Sequence, residues 1–322
     1  MTLRASTFAT AAALTFAAAA SAQQYPTKPV RLVVPLAPGG PSDMLARTMA
    51  QAMSPSLGQP IVVDNRTGAG GTIGLDIVAK SPPDGHTMVL VALATYTITA
   101  NLYAKLPYDA RKDLAPVSIL AGAPYLLIVH PSLPAKTAKD LVALARARPN
   151  QLNYGSGGLG TGPQLAMELW TMKTGAPIVH IPYKGTGPAL TDLMAGHVQT
   201  GLFNMIAVLP PVQSGKMRAL AVSGPKRSPL LPDVQTVTES GVAGFEDVGG
   251  HMIMVPGATP KEIVARLNRE ALKALQSPDV LARLKNEGAE VVASSPEEAA
   301  AAVRRDLEKW GDVIRRAGIK PE

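Results

Sequence analysis

The stretch "LNYGSGGLGTGPQLAMELW" (Leu152 to Trp170) places Gly155, Ser156, Gly157, Gly158 and Gly160 between a short apolar run and a helix-like one. Several chemistries use such a turn. The spacing Gly155-x-Gly157-x-x-Gly160 has the form of a dinucleotide fingerprint, but that motif needs an acidic residue about 20 positions on, closing the next strand. The corresponding region reads "VHIPYKG", without a carboxylate, so NAD is set aside. A nucleophile elbow needs G-x-S-x-G, and Tyr154 stands where its first glycine belongs before Ser156. No G-x-x-x-x-G-K-[ST] run exists for a nucleotide phosphate, and the five histidines show no metal-ligand spacing. Cysteine is absent, which removes thiol nucleophiles, disulfides and cysteine metal sites. No cofactor and no metal are expected.

What survives is main-chain chemistry. A glycine-rich turn that opens a helix exposes backbone N–H groups, lets an anion approach them closely, and adds the partial positive charge of the helix dipole. Such a site suits a carboxylate and needs no basic side chain. A second turn has the same form: "PLAPGGPSD" (Pro35 to Asp43) leaves an apolar strand and opens a helix that Ser42 or Asp43 is expected to cap. Asp43 would orient this loop rather than touch an anion. A third segment, "PYKGTGP" (Pro182 to Pro188), again ends a strand and opens a helix. It has two readings, a tight turn with a surface Lys184, or a cleft rim made by Tyr183 and Lys184.

Regular elements must hold these turns. "VRLVVP" (Val30 to Pro35), "IVVDN" (Ile61 to Asn65) and "TMVLVA" (Thr87 to Ala92) read as strands, with helices near 42–53 and 72–80 between them. That alternation indicates βαβ units and a largely parallel sheet. The pattern restarts with "YLLIV" (Tyr125 to Val129), "LNY", "VHIP" (Val179 to Pro182), "VQTGLF" and "RALAVS" as strands, and helices over 137–148, 161–173 and 188–195. From Thr259 the chain is mostly helical. "TPKE" (Thr259 to Glu262) and "SPEE" (Ser295 to Glu298) have the capping-box form. Val303, Leu307, Trp310 and Ile314 make one apolar stripe, expected to pack against a sheet with Trp310 in the core. Two α/β units and a helical tail imply a discontinuous lobe 1, residues 23–121 plus 249–322, and a lobe 2, residues 122–248. Two extended crossings, near "VSILAGAPYLLIV" and "VGGHMIMV", would join them and leave a cleft between.

Composition bounds the function. A chain of 322 residues that is 46% hydrophobic can build two cores and is not a disordered polymer. Residues 1–22 read as a secretory leader: Arg4, an apolar core from Ala9 to Ala20, and "ASA" at Ala20 to Ala22 as the cleavage site, so the mature chain would start at Gln23. Without a lipobox cysteine, the product is expected to be a soluble periplasmic protein, not lipid-anchored. No other stretch reaches the roughly 18 apolar residues of a membrane span. Losing Arg4 with the leader lowers the net charge from +7 to +6. The basic residues, many of them in the C-terminal helices, read as solvated faces. No aromatic-interleaved basic run points to nucleic acid.

In order along nearly the whole mature chain, "YPTKPVRLVVPLAPGGPSD", "VDNRTGAGGTIG", "PDGHTMVL", "LPYDARKDLAPVSIL", "LNYGSGGLGTG", "HIPYKGTGPALTDLMAG" and "GKMRALAVSGPKRSPLLPDVQTVTESGV" resemble the periplasmic solute receptors of tripartite tricarboxylate transporters, the Bug-type binding proteins. The resemblance implies an α/β, two-lobed "Venus flytrap" fold of the periplasmic-binding-protein type, type II-like. It implies a carboxylate-bearing ligand held by backbone amides and ordered waters between the strand-one turn and the "GSGG" turn. Carried over residue by residue, it points to Ala37, Pro38, Gly39, Gly40, Ser42 and Asp43 on one lobe. On the other it points to Gly155, Ser156, Gly157, Gly158, Gly160, Thr161 and Gln164.

The chain departs from the family pattern at several of these places. Thr161 and Gln164 replace the Ser and His of "GxGSxxH", keeping a hydroxyl and losing a titratable group. Phe203-Asn204 stands for Phe-Asp, Gly250-His251-Met252 for "WFG", and Tyr96 to Ala100 for "HAINP". In such receptors these positions line the variable end of the pocket. The far end of the ligand is therefore expected to differ from that of a typical member, with Asn204 and His251 tolerating a more anionic one. Three functions are weighed: a receptor that closes on a small carboxylate and delivers it to membrane permease subunits; a ligand-dependent partner of a membrane sensor kinase; and an exported enzyme on the same fold. The last would need a nucleophile–base pair, and nothing in the sequence pairs Ser156 or His251 with one. A receptor of this form is by default a monomer.

Overall fold

A computed structural model describes residues 25–317 except 104, 244, 246 and 247. The leader assigned to residues 1–22 lies outside the described residues.

The first elements are strand β1 (Val30–Val34), helix α1 (Pro41–Leu57), β2 (Ile61–Asn65), α2 (Thr72–Ala79), β3 (Thr87–Ala92) and α3 (Leu93–Leu102). β1 pairs in parallel with β2 on one side and β3 on the other. It is buried except for Arg31, as a central parallel strand covered on both faces must be. Then β4 runs for 16 residues, Leu114–Val129. The chain continues through α4 (Ala138–Ala147), β5 (Leu152–Ser156), α5 (Gly162–Thr174), β6 (Ile178–Pro182), α6 (Thr186–Met194), β7 (Thr200–Asn204), α7 (Met205–Gln213) and β8 (Arg218–Val222). It returns along β9 (Val248–Pro256) and ends with α8 (Lys261–Leu275), α9 (Pro278–Asn286), β10 (Glu290–Val291) and α10 (Pro296–Ala317).

The strand order is β2-β1-β3-β9-β4-β7-β5-β6, with β8 and β10 also on β4. β4 links the two halves. Its first part pairs with β9 as far as Pro124, and its last part, Tyr125 to Val129, pairs with β7 and β8. The βα units on either side are parallel, as expected, but every pairing made by β4 and β9 is antiparallel. In the first half, Leu32, Leu90 and Ile253 face α1 and α8, while Val33, Val91 and Met252 face α2 and α10. In the second half, α4 and α5 cover Leu127 and Leu202, and α6 and α7 cover the opposite face at Leu126 and Phe203.

Local differences from the expected elements have physical causes. "SPEE" does form a capping box: Ser295 N–H donates to Glu298 Oε2 at 2.8 Å and Glu298 N–H to Ser295 Oγ at 3.1 Å. "TPKE" does not, because Pro260 takes the cap position of α8 and the buried Thr259 hydroxyl makes no bond. Neither Ser42 nor Asp43 caps α1. Gly40 does so, with Pro41 first in the helix. The C-terminal stripe divides, with Val303 and Leu307 reaching the sheet core while Trp310 and Ile314 pack with Ala94, Ile98 and Leu102 of α3 and with Leu165 of α5. Trp310 is buried, and its indole N–H donates to Asp306.

Candidate functional site

The carboxyl ends of the parallel strands open onto one cavity. Its lining includes Ala37, Gly40, Ser42 and Asp43 from the turn between β1 and α1, Thr161 before α5, Thr186 at the start of α6, Asn204 between β7 and α7, and His251 of β9. Leu36, Pro41, Ala92, Thr95, Tyr125 and Pro163 complete it. Five of the described helices begin here. Gly40, Ala92, Thr161 and Asn204 are the caps of α1, α3, α5 and α7, and Thr186 is the first residue of α6. Each helix start carries unsatisfied N–H groups and about half a positive charge. Among the described residues, no lysine or arginine lines the cavity.

The two glycine turns meet at Thr186. A Cβ placed on Gly40 would touch the Thr186 Cβ at 3.4 Å, and one on Gly157 would lie 3.5 Å from the Thr186 N. The Ala37 N–H donates to the Lys184 carbonyl at 3.0 Å, tying the strand-one turn to the "PYKGTGP" segment across the two halves. Gly39 has φ +81°, a conformation glycine adopts without strain.

Asp43 organizes the first turn. Its carboxylate accepts from the Gly39 N–H at 3.0 Å, from Arg47 at 3.0 and 3.1 Å, and from Asn65 at 3.1 Å; Asn65 also donates to the Leu36 carbonyl. Burial disfavours its charge, but the bonds from Arg47, Gly39 and Asn65 and the charge of Arg47 outweigh that and hold its pKa below the usual carboxylate range.

The second turn spends much of its hydrogen bonding on itself. Gly158 N–H donates to Ser156 Oγ at 3.1 Å, Thr161 Oγ1 to the Gly158 carbonyl at 2.7 Å, and Gly160 N–H to Gln164 Oε1 at 2.7 Å. Gly158 and Gly160 have φ +116° and +74°. Ser156 does have a histidine partner, which the sequence did not reveal: its Oγ shares a 2.7 Å hydrogen bond with His180 Nε2. The His180 ring stacks on Tyr154 with centroids 4.7 Å apart, and burial lowers its pKa to about 4. Ser156 is fully buried and outside the cavity lining, His180 is half-buried, and their bond braces the turn.

Of the residues singled out from the sequence, Ala37, Gly40, Ser42, Asp43, Thr161, Asn204 and His251 line the cavity. Pro38 and Gly39 lie on a neighbouring surface groove with Gly187 and Pro188. Gly157, Gly158, Tyr183 and Lys184 line a separate crevice on the other side of Leu36, together with Gly70 and Gly71. Gly155, Ser156, Gly160 and Gln164 line none of these. Gly155 is packed against Val198, Ala189 and Tyr183. Thr186, Tyr125 and Thr95 were missed. Thr186 sits inside the "PYKGTGP" segment, where its place at a helix start was the available signal. Thr95 and Tyr125 carry no local signal, because only the convergence of α3 and β4 brings them here.

Asn204 is committed to the backbone, its Nδ2 donating to the Ala123 carbonyl at 3.0 Å and its Oδ1 accepting from Ile206 N–H at 3.2 Å. His251 is 2% exposed, and neither ring nitrogen has a hydrogen-bond partner among the described residues. Burial lowers its pKa to about 4, so at neutral pH it brings no positive charge to the cavity. That leaves no support here for the expected tolerance of a more anionic ligand.

Comparison with known proteins agrees with this architecture. The chain is 39% identical to BugT of Bordetella pertussis over 305 residues, 94% of each chain. The periplasmic binding protein BugD superposes with a TM-score of 0.89 at 34% identity, over 92% of this chain and all of that one. A protein of R. palustris solved with adipate superposes with a TM-score of 0.89 at 38% identity, again over 92% of this chain and all of the other. The fold is thus the two-lobed α/β type of the periplasmic binding proteins, with its cleft between the lobes. Residues 45–319 match the model of the tripartite tricarboxylate transporter family receptors, and the chain belongs to that family.

Proposed function

We propose that this protein binds a small carboxylate-bearing solute in the cavity between lobe 1 (residues 23–121 and 249–322) and lobe 2 (residues 122–248). The supporting observation is the convergence of five helix starts on a space that, among the described residues, no lysine or arginine lines. Main-chain donors and aligned dipoles favour an anion there, and nothing in the lining would select phosphate by charge pairing. The adipate held by the R. palustris neighbour is a carboxylate of the kind expected. Gly40, Ser42 and Thr186 are the groups proposed to meet the carboxylate, with Asp43 holding the first turn in shape and Ala37 and Thr161, whose donors are bonded to Lys184 and Gly158, completing the wall.

The leader over residues 1–22 exports the chain, which then acts in the periplasm as a soluble monomer without a lipid anchor. Binding draws the lobes together, since only the closed form touches the solute from both sides. The closed receptor hands its solute to the permease subunits of a tripartite tricarboxylate-type transporter. The reading is of binding and not of catalysis, because both serine–histidine pairs described, Ser156–His180 in the turn and the exposed Ser132–His130, lie outside the cavity lining. A thermal-shift screen of small carboxylates on the chain from Gln23, followed by calorimetry, tests it. A binder raises the melting temperature in step with RT ln(1 + [L]/Kd). The absence of any shift across mono-, di- and tricarboxylates would overturn it.

A further inference from the structure

His251 occupies a prepared position. On β9 it lies opposite Ala92 of β3 and Ala121 of β4, two small residues. The register of β4 slips between Ile119 and Ala121, directly across from it, and such bulges re-aim side chains. Alternation along β9 puts His251 on the same face as Ile253 and Val255, the face covered by α1, whose first turn lines the cavity. The ring lines the cavity too, is almost wholly buried, and leaves both nitrogens unpaired among the described residues. Buried polar groups in native proteins nearly always find a partner, and one left without it is costly.

Two other polar side chains of the lining are committed. Asn204 is bonded to Ala123 and Ile206, and the Asp43 carboxylate to Arg47, Asn65 and Gly39. A neutral imidazole offers one N–H donor and one acceptor. A hydroxyl or a carboxamide can use both. A carboxylate accepts only, so it pairs the imidazole N–H and leaves the acceptor nitrogen without a partner.

We propose that His251 reads an uncharged hydroxyl or carboxamide at the end of the ligand away from its carboxylate, so that the protein selects hydroxy- and amido-monocarboxylic acids over dicarboxylic acids of equal length. This rests on the carboxylate reading above and adds to it the chemistry of the ligand's second end.

The test is calorimetry at neutral pH on the chain from Gln23, with straight-chain acids of four, five and six carbons. Each length is taken with a methyl, hydroxyl, carboxamide or carboxylate end; the five-carbon set is pentanoate, 5-hydroxypentanoate, glutaramate and glutarate. At the best-fitting length, the hydroxyl- or carboxamide-ended acid binds about tenfold or more tighter than the other two. His251→Phe removes that advantage and leaves the methyl-ended acid within about threefold, while His251→Gln, which keeps a donor and an acceptor, retains most of it. Without ligand, His251→Phe melts no lower than the parent, since it deletes two unpaired polar atoms. A parent that prefers the dicarboxylate, or a His251→Phe variant with an unchanged ratio, overturns the inference while the carboxylate reading stands. If no acid of the series binds the parent, both fall. The parent's own ratio decides the matter even if a variant fails to fold.

Discussion

Closure should be blocked by a single methyl group at Gly187. This residue lies in the first turn of α6, and a Cβ built on it would fall inside the Pro38 carbonyl oxygen and 3.4 Å from the Pro38 carbonyl carbon. Pro38 belongs to the opposite lobe, so the variant Gly187→Ala can keep its fold only by holding the two turns apart by about 1 Å more than the parent does. That breaks the Ala37–Lys184 hydrogen bond, worth about 0.5–1.5 kcal/mol. It also draws one or two lobe 2 donors away from the anion, at about 1.5–3 kcal/mol each. The sum, taken near its lower end at about 3–4 kcal/mol, is a 10²- to 10³-fold loss of affinity. In the unliganded protein alanine's better helix propensity, up to about 1 kcal/mol, offsets the lost Ala37–Lys184 bond. Calorimetry with the best ligand of the screen should therefore show the weakened binding, while the melting temperature without ligand is nearly unchanged. X-ray scattering should show a ligand-induced contraction in the parent and little in the variant. Parental affinity together with parental contraction would refute the proposed role of this contact.

Other perturbations separate the remaining parts. Gly39→Val should abolish binding, because residue 39 sits at φ +81°, and circular dichroism should show the domain still folded. Ser156→Ala should lower stability by about 1–3 kcal/mol in urea titration, by unpairing the Gly158 N–H and His180, without removing any hydrolytic activity. Because the buried His251 has its pKa lowered to about 4, the unfolded chain takes up its proton first as pH falls. Stability is then level above about pH 6.5 and declines between 6.5 and 4, by on the order of 3 kcal/mol from this residue, and His251→Phe should flatten that limb in melting curves. Asp43 acts in the same sense at lower pH: its lowered pKa contributes stability that is present above the ordinary carboxylate value and lost as pH falls through the folded one, so Asp43→Asn should soften the acid limb below about pH 4.

Strands such as Val30–Val34 and Ile61–Asn65 were legible because short apolar runs ended by Pro, Gly or Asn have few other readings. Helix α3 was not, since "LATYTITANL" is buried on almost every side and shows no polar face to mark its period. Helix α7 was hidden by Pro210 and Pro211, which tertiary packing accommodates inside it. At the site, glycine and proline punctuation located the strand-one turn and the "GSGG" turn, but not how each turn spends its donors. Gly158 and Gly160 give theirs to Ser156 and Gln164, a matter of loop conformation that composition does not encode. His251 was visible only as a departure from a family pattern. Its lack of a partner depends on three strands lying side by side.

The unbroken run of β4 through both halves decides how this molecule can move. Where many clamshell proteins swing on slack loops, these lobes are yoked by a twisted ribbon, β4 beside β9, whose ladder persists to the Pro124–Val248 pair. The closure proposed above would therefore bend a hydrogen-bonded ribbon, which restricts the directions the jaws can take.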